Sequence, residues 1–597
     1  MSKEKNMKVG SRGNSCFSDY ASFISKRFVL ILFAAFVLQF GLCAQDWLEN
    51  VKSWFLNKQD FQEEGLGIQY IIPSNHWVYD AVYFLMLESG TLPVSYDTPM
   101  SAGELEMYFQ DIIVSNLHKD RMELYYKVEN WFNALKKTKG NLPFNFSFQP
   151  SLNPALFYRN VNDKISYPEF DYTDITPVVN IPISLQISSY AYLHCDLSIM
   201  QKLKFAHSPK RYTNIPYKAG AEEEMDPTYS RFSHMSIGVP IKGKNFVNFK
   251  IGRGGLNIAK TATPSIILSE SMNSATYAQL SFFAPSIKYS ATVLQLAVNK
   301  YMYFHTLNLR FFKRVTIGVS GGLMVNAPLE LTYLNPIEHF HGLAPWTRYD
   351  HYNKDLANGT YKSGDSRIGS FFAARFEVNP WKYMRLYALF QMNEFQLSSE
   401  TQDVPNSLGI QAGFDMSLPY KGGYWTPNLE FLWTSPYMYK VRSKNWSFCM
   451  ERRGFYGSAQ HQWTGTPFGP DSIMGQLSLG YTRPSRWTVK GFYRFLAQGE
   501  MNDEIAATEP DGMWKKWPNS VAQAKIKTPS GTPKYTHRFG IEGKYILNRY
   551  FSFDAYTGLS YIVNNAHKSG KGIFSFEGAF VCKVSLFGGW KSLLSSN

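Results

Sequence analysis

The sequence predicts an all-β transmembrane barrel of about 18 antiparallel strands, preceded by a small N-terminal α-helical domain. Three observations carry that reading. From about residue 144 onward, apolar and polar residues alternate with a period of two. Ahead of that point the apolar residues recur three and four apart. The links between the alternating segments fall into tight and long classes that alternate strictly along the chain, which a barrel with turns at one end and loops at the other requires.

The N-terminal extension and signal peptide occupy 1–44. The stretch 28–44 is the one run apolar enough to span a bilayer as a helix, and it is short. It follows Lys26 and Arg27 and ends in Leu42, Cys43 and Ala44, the pattern of a secretory leader. Cleavage after Ala44 leaves Cys195, Cys449 and Cys582, too far apart for a disulfide framework and without zinc-ligand spacing. The 597 residues carry 61 Lys+Arg against 47 Asp+Glu, a net +14. That excess is spread thinly, so nucleic acid is not an expected partner. Aromatics at 16% and charges at 18% exclude a disordered chain.

The helical domain is expected at 45–141 and on the periplasmic side. Ser74 is the expected cap of a helix running through Trp77, Val78, Ala81, Val82 and Leu85 to Gly90. Ser101 and Glu104 have capping-box spacing ahead of Leu105, Met107, Tyr108 and Ile112. A third helix is expected from Arg121 to Lys136 through Leu124, Val128, Trp131 and Phe132.

The barrel is expected at 142–597. In one segment Tyr535, His537, Phe539 and Ile541 alternate with Thr536, Arg538, Gly540 and Glu542; in another Ile410, Ala412 and Phe414 alternate with Gln411, Gly413 and Asp415. Each is a strand with one apolar and one polar face. Strands are expected to begin near residues 154, 178, 191, 231, 246, 277, 287, 305 and 315, and near 367, 382, 408, 425, 473, 486, 535, 551 and 573. Tight links lie near 285, 313, 380, 421, 484 and 548; long polar links lie at 254–276, 326–366, 397–407, 435–472, 496–534 and 562–572. An even strand number puts both barrel ends on one side, and closure leaves no unpaired edge in lipid. The expected location is the outer membrane of a diderm bacterium, with outer-membrane lipid as a partner.

Local motifs are sparse. The run from Gly254 to Thr261 falls one residue short of a phosphate-binding loop and leads into Pro264 instead of a helix, so a surface loop is expected. His339, His341 and His351 with Asp350 are dense, yet no third ligand has a fixed spacing, so no metal is expected. No nucleophile elbow or zinc-protease motif occurs, and His537 falls on the lipid face. The expectation is therefore no catalytic residues and no cofactor. Sugar binding needs flat apolar rings beside groups that bond hydroxyls. Trp346, Arg348, Tyr349, Asp350 and His351 offer both in one long loop.

Three stretches resemble the Wzi family of capsule-assembly proteins. They are the run from Trp77 to Ala81 with Gly90 to Pro93, the run from Lys250 to Arg253 followed by Pro264 to Glu270, and the run from Pro328 to Pro336. Glu270 and Ser271 stand where the family tends to carry an Asp-Asn-like pair. The resemblance implies an eighteen-stranded outer-membrane barrel with a periplasmic helical bundle that binds polysaccharide at the cell surface. It adds Arg253 and Glu270 to the candidate ligand-binding residues. The expected role is a non-enzymatic, monomeric barrel that binds, anchors or organises surface polysaccharide. The alternative is a transport barrel for small or hydrophobic solutes.

Overall fold

The computed structural model describes residues 63–137, 145–160, 177–201, 225–228, 232–241, 245–272, 275–329, 333, 335, 368–394, 404–453, 459–502, 514–548 and 550–586. All of them belong to one compact unit, 61–597. The leader expected at 1–44 and the loop residues Trp346, Arg348, Tyr349, Asp350 and His351 lie outside the described residues, as do His339 and His341.

Eighteen strands form one closed antiparallel barrel. Strand β1 consists of three consecutive pieces, Asn145–Phe148, Ser151–Leu152 and Ala155–Arg159. It is followed by β2 (Val179–Ser188), β3 (Ala191–Gln201), β4 (Met225–Thr228 with Ser233–Ile241), β5 (Asn245–Gly254) and β6 (Ala275–Ala284). Next come β7 (Ile287–Ala297), β8 (Lys300–Phe311), β9 (Val315–Val325), β10 (Ile368–Val378), β11 (Met384–Glu394) and β12 (Ser407–Met416 with Leu418–Tyr420). The set ends with β13 (Gly423–Thr434), β14 (Ser472–Arg483), β15 (Trp487–Gln498), β16 (Lys534–Ile546), β17 (Phe551–Val563) and β18 (Ile573–Ser585). Each strand pairs with its neighbours in sequence. The ring closes because β1 pairs with β2 at Phe148–Ile183 and with β18 at Ala155–Val581. A separate hairpin, Cys449–Arg453 with Ala459–Trp463, sits in the link between β13 and β14.

Strands β3, β7, β9, β17 and β18 begin at the residues expected from the alternation. The strict alternation of tight and long links fails once. Two residues, Val298 and Asn299, join β7 to β8 at the end where the other links are long, and Asn299 takes the left-handed conformation such a hairpin needs (φ 52°).

The two faces of the wall differ as the period of two requires. Outward-facing Ile237, Phe249, Leu280, Phe376, Leu429, Phe431, Leu477, Phe539 and Leu559 are exposed apolar side chains, the surface that lipid must cover. His537 also points outward, where Tyr493 bonds it at 2.9 Å. Near the tight turns Trp381, Tyr420, Trp425, Tyr481, Trp487 and Tyr545 form an aromatic band, and Tyr481 packs against both Trp425 and Trp487. Such rings anchor a barrel at the membrane–water boundary. The inner face carries Arg, Lys, Glu, Asn and Gln at alternate positions.

Among the described residues, three α-helices precede the barrel. Helix α1 (Trp77–Ser89) is capped by the ring of His76, which accepts from the Val78 N–H at 3.4 Å, so the cap is His76 and not Ser74. It stops at Gly90 (φ 81°), whose missing Cβ permits the left-handed turn that closes on the Met86 and Leu87 carbonyls. Helix α2 (Ala102–Gln110) starts on Ser101, whose Oγ accepts from the Glu104 N–H. Helix α3 (Met122–Leu135) buries Val128, Trp131, Phe132 and Leu135 against the other two, as its periodicity predicts.

Candidate functional site

The helical segment is held against the inner wall of the barrel at its tight-turn end. Arg310 donates to the Leu92 carbonyl at 2.8 Å and pairs with Asp111, while Thr316 donates to the Pro93 carbonyl. Lys288 bonds Glu104 at 2.6 Å, and Asn248 donates to Gln69 at 2.8 Å. Tyr83 and Tyr424 link α1 to the wall through Asp415 and Glu88. Every barrel residue named here lies on an inward position of its strand, so the segment occupies the lumen. The turn tips take part too: the Leu92 and Tyr383 N–H groups donate to the Lys313 and Leu87 carbonyls.

From the other end the lumen is filled by the link between β5 and β6. This segment was expected as a surface loop. Instead Ile266, Ile267, Leu268 and Met272 are fully buried with Leu294, Phe304, Phe371 and Leu432 of the wall. Glu430 fixes it in place. Its carboxylate accepts from the Ala262 and Thr263 N–H groups and from the hydroxyls of Thr263 and Tyr387. Gln411 accepts from the Ile266 N–H at 2.9 Å. The loop between β13 and β14 covers it, with Tyr439 donating to the Ile266 carbonyl at 2.6 Å. Gly465 passes so close that a Cβ there would sit 2.1 Å from that same carbonyl oxygen. The reason for the misreading is physical: four polar or small residues flank the apolar run, and the run itself finds its burial only inside the ring.

Arg385 is the hub where these parts meet. Its guanidinium donates to Glu377 at 2.9 Å and to Asp415 at 2.8 Å, and it also bonds the Lys260 carbonyl of the infolded loop. Tyr387, Tyr96 and Tyr83 pack their rings on it at 4.6, 5.0 and 5.5 Å. One fully buried cation thus ties β10, β11, β12, α1 and the loop together. Beside it Asp97 pairs with Arg375 and accepts from the Ala259 N–H. Burial alone would raise the Asp97 carboxyl, but Arg375 and Lys288 outweigh it and hold the group at about 2.

A hollow of about 230 Å³ remains between α1 and the infolded loop. Asn75, Asp80, Lys260 and Glu270 line it together with Tyr79, Tyr83 and Tyr96. Lys260 bonds Asp80 at 3.1 Å and sits over the Tyr83 ring. Burial pushes the Tyr83 and Tyr96 phenols well above their ordinary range, so both stay neutral hydroxyls. Water reaches the lumen here: the Asp80 and Lys260 side chains are 45% and 35% exposed. The turn-side ends of β15 to β18 are also wet on the inner face, with Lys490–Glu542 and Lys583–Asp554 as partly exposed pairs, whereas Arg538 and Glu577 farther along form a buried one.

Of the residues singled out in sequence, Arg253 and Glu270 are described. Arg253 is buried near the long-loop end of β5, opposite Thr276 of β6. Glu270 opens a short 3-10 turn, Glu270–Met272, and its Cβ lies 2.6 Å from where a Cβ on Gly255 would be. The fold therefore brings the root of β5 and Glu270 together beneath the infolded loop. Sequence reasoning missed Asp80, Lys260 and Arg385. The signal for Arg385 was present, as a charge on the inward parity of a strand with Glu377 and Asp415 on the same parity of its neighbours. Among the described residues, no group of three or more His, Cys, Asp or Glu side chains is placed to hold a metal.

No protein-family model matches the chain, and no curated protein matches it. Among solved structures, the chain is similar to Wzi of Escherichia coli, described as an outer membrane protein involved in group 1 capsule assembly and a carbohydrate-binding β-barrel. The TM-score is 0.48 at 9% identity, over 86% of this chain and 98% of that one. OprD of Pseudomonas aeruginosa aligns with a TM-score of 0.36 at 11% identity, over 74% of this chain and 96% of its own. OpdK of the same organism gives 0.37 at 10%, over 75% and 99%. At these identities the likeness is one of fold.

Proposed function

We propose that this chain is a non-enzymatic outer-membrane barrel that binds, anchors or organises polysaccharide at the cell surface. The observation that carries the reading is the filled lumen. The helical segment is tied to the wall through buried ion pairs and the infolded loop through buried hydrogen bonds to Glu430, Gln411 and Arg385, so the barrel serves as a rigid base and not as an open conduit. On this reading the helical segment faces the periplasm and the long loops face outward. Trp346, Arg348, Tyr349, Asp350 and His351 would meet the glycan there, with Arg253 and Glu270 bracing the root of the neighbouring loop. The stretches resembling the Wzi family support the same role. Affinity spread over many loop contacts means that no single loop substitution abolishes it. The test is gene deletion: surface polysaccharide is released to the medium and retained again with an intact copy. Unchanged retention rejects the role.

One observation favours a second reading. The wet, charged strip at the turn-side ends of β15 to β18 is the kind of lining that a solute path needs. A transport barrel for small solutes predicts steady open currents from purified protein in planar bilayers, and the anchoring role predicts a closed baseline.

A further inference from the structure

We infer that the turn between β14 and β15, with the adjacent turn between β12 and β13, holds the headgroup phosphate of an anionic phospholipid in the leaflet on the tight-turn side of the membrane. The site lies on the lipid-facing rim and stands apart from the surface role proposed above.

The outward row of β14 follows the layers of that leaflet. Leu477 and Leu479 are exposed apolar side chains, Tyr481 comes next, and Arg483 ends the strand. Residues two apart on one face lie about 7 Å apart along a strand, so Arg483 stands just beyond the Tyr481 ring, where headgroups begin. The flanking strands repeat the order, with Leu429 then Trp425 on β13 and Val489 then Trp487 on β15. Tyr481 packs between the two indoles, 5.2 Å from Trp425 and 5.0 Å from Trp487. Its hydroxyl donates to the Tyr420 carbonyl at 2.7 Å, which holds the ring against the turn between β12 and β13.

Cations collect immediately beyond these rings. Lys421 and Arg486 are exposed at the two turns, and Lys421 lies over the Tyr420 ring at 5.2 Å. The Arg483 guanidinium rests on Gly422, where a Cβ would meet three of its atoms at 3.3 to 3.4 Å. That contact joins the two turns into one basic surface. Lys127 approaches it from α3, with its ammonium 5.7 Å from the Trp77 ring. Burial, Arg486 and Arg483 hold the Lys127 ammonium below its ordinary range, against the opposing pull of Glu123.

Counter-charge is scarce here. Among the described residues, Lys127, Lys421, Arg483 and Arg486 form no ion pair closer than 4 Å. The other carboxylates of this rim are engaged: Glu542 by Lys490, Asp554 by Lys583 and Glu88 by Arg121. Four cations therefore stand against one exposed carboxylate, Glu123. Guanidinium groups grip phosphate through paired N–H donors, and a headgroup of net negative charge meets the excess. A zwitterionic headgroup brings its own ammonium into the same field and loses part of that attraction.

The test uses the full chain in detergent, titrated with phosphatidylglycerol or phosphatidylcholine and read by native mass spectrometry. A first phosphatidylglycerol is expected to bind saturably, and phosphatidylcholine at least about five-fold more weakly, the size of one lost charge contact. Arg486→Gln is expected to weaken phosphatidylglycerol about five-fold, and the triple variant Lys421→Gln, Arg483→Gln, Arg486→Gln about a hundred-fold, with the folded barrel unchanged on unboiled gels. Lys313→Gln removes a turn lysine already paired with Asp111 and is expected to change nothing. Inorganic phosphate in large excess is expected to leave the lipid bound, because the rings of Tyr481, Trp425 and Trp487 hold the part of the lipid below the headgroup. Displacement by phosphate alone would make this a site for free anions and overturns the lipid assignment. Equal affinity for the two lipids overturns it as well, as does binding that survives the triple variant. A loss in Lys313→Gln as large as in Arg486→Gln would mean diffuse attraction by the whole rim, and it too overturns the site.

Discussion

The interior of the lumen and its turn-side rim at β15 to β18 treat charge in opposite ways. On the wall formed by β7 to β12, Lys288–Glu104, Arg375–Asp97 and Arg385–Glu377 are dry; Arg385 and Glu377 are 0% and 1% exposed. At the turn-side ends of β15 to β18, Lys490 and Glu542 are 30% and 48% exposed in a cross-strand pair, while deeper on the same strands Arg538 and Glu577 are dry again. The chemistry is the same and the solvent is not. Dry pairs are costly to break because each partner is left as an uncompensated charge. Wet pairs fall back on water and are worth little. The helical segment and infolded loop are attached to β7 to β13 where the charged groups are dry.

Breaking the comparison begins at Arg385. Arg385→Ala leaves Glu377 and Asp415 buried without their shared cation and cuts the bond to the Lys260 carbonyl. The expected cost is about 3–5 kcal/mol. Urea unfolding followed by the shift between folded and boiled forms on gels measures it, and protease sensitivity of 66–136 is expected to rise with it.

Strand β16 sharpens the contrast, since within the ring it is dry at Arg538 and wet at Glu542, and outside it is apolar. Phe539 is 57% exposed near the middle of the outer face. Phe539→Arg places a charge at the bilayer midplane and is expected to cost about 2–4 kcal/mol. Glu542, three residues on and facing inward, already carries a charge at no such cost. Equal tolerance at the two positions would reverse the assignment of the faces.

Asp97 adds a pH dependence to the dry interior. Its carboxyl is held at about 2, below the ordinary 3.8, so the folded state favours the ionised form. The contribution is fully present above about pH 5 and lost as the pH falls through 3.8 towards 2. Asp97→Asn is expected to cost roughly 2 kcal/mol at neutral pH. The gap in urea midpoint between wild type and variant should close between pH 4 and pH 2.

Much of this architecture is legible in the chain, because a period of two is enforced by lipid on every outward residue. The alternation of Phe539, Ile541 and their inward neighbours gives β16 directly, and the tight link near 548 marks its end. Inward positions are legible only as polar. The pairing of Arg385 with Asp415 is legible from adjacent strands, but nothing local says that Tyr83 of α1 packs upon it or that the infolded loop reaches it, since those contacts depend on what enters the lumen. The infolded loop was hidden for another reason. Ile266, Ile267 and Leu268 make too short a run to read as a strand or helix, and their burial comes from a lumen that the sequence does not display. Three consecutive large apolar residues in a link assigned to solvent were the available warning.

The smallest effect belongs to the wet rim, and it separates a hydrated lining from a structural one. Lys490 and Glu542 lie 3.3 Å apart on adjacent strands, with both side chains reaching water. Lys490→Ala therefore strands no buried charge, and the expected loss is below about 1 kcal/mol, shrinking further as salt is raised. The same substitution on the dry side, Lys288→Ala, would leave Glu104 buried beside Tyr108 and should cost several times more. If Lys490→Ala proved as damaging as Arg385→Ala, water would be absent from this rim in solution. The second reading as a solute path would then lose its physical basis.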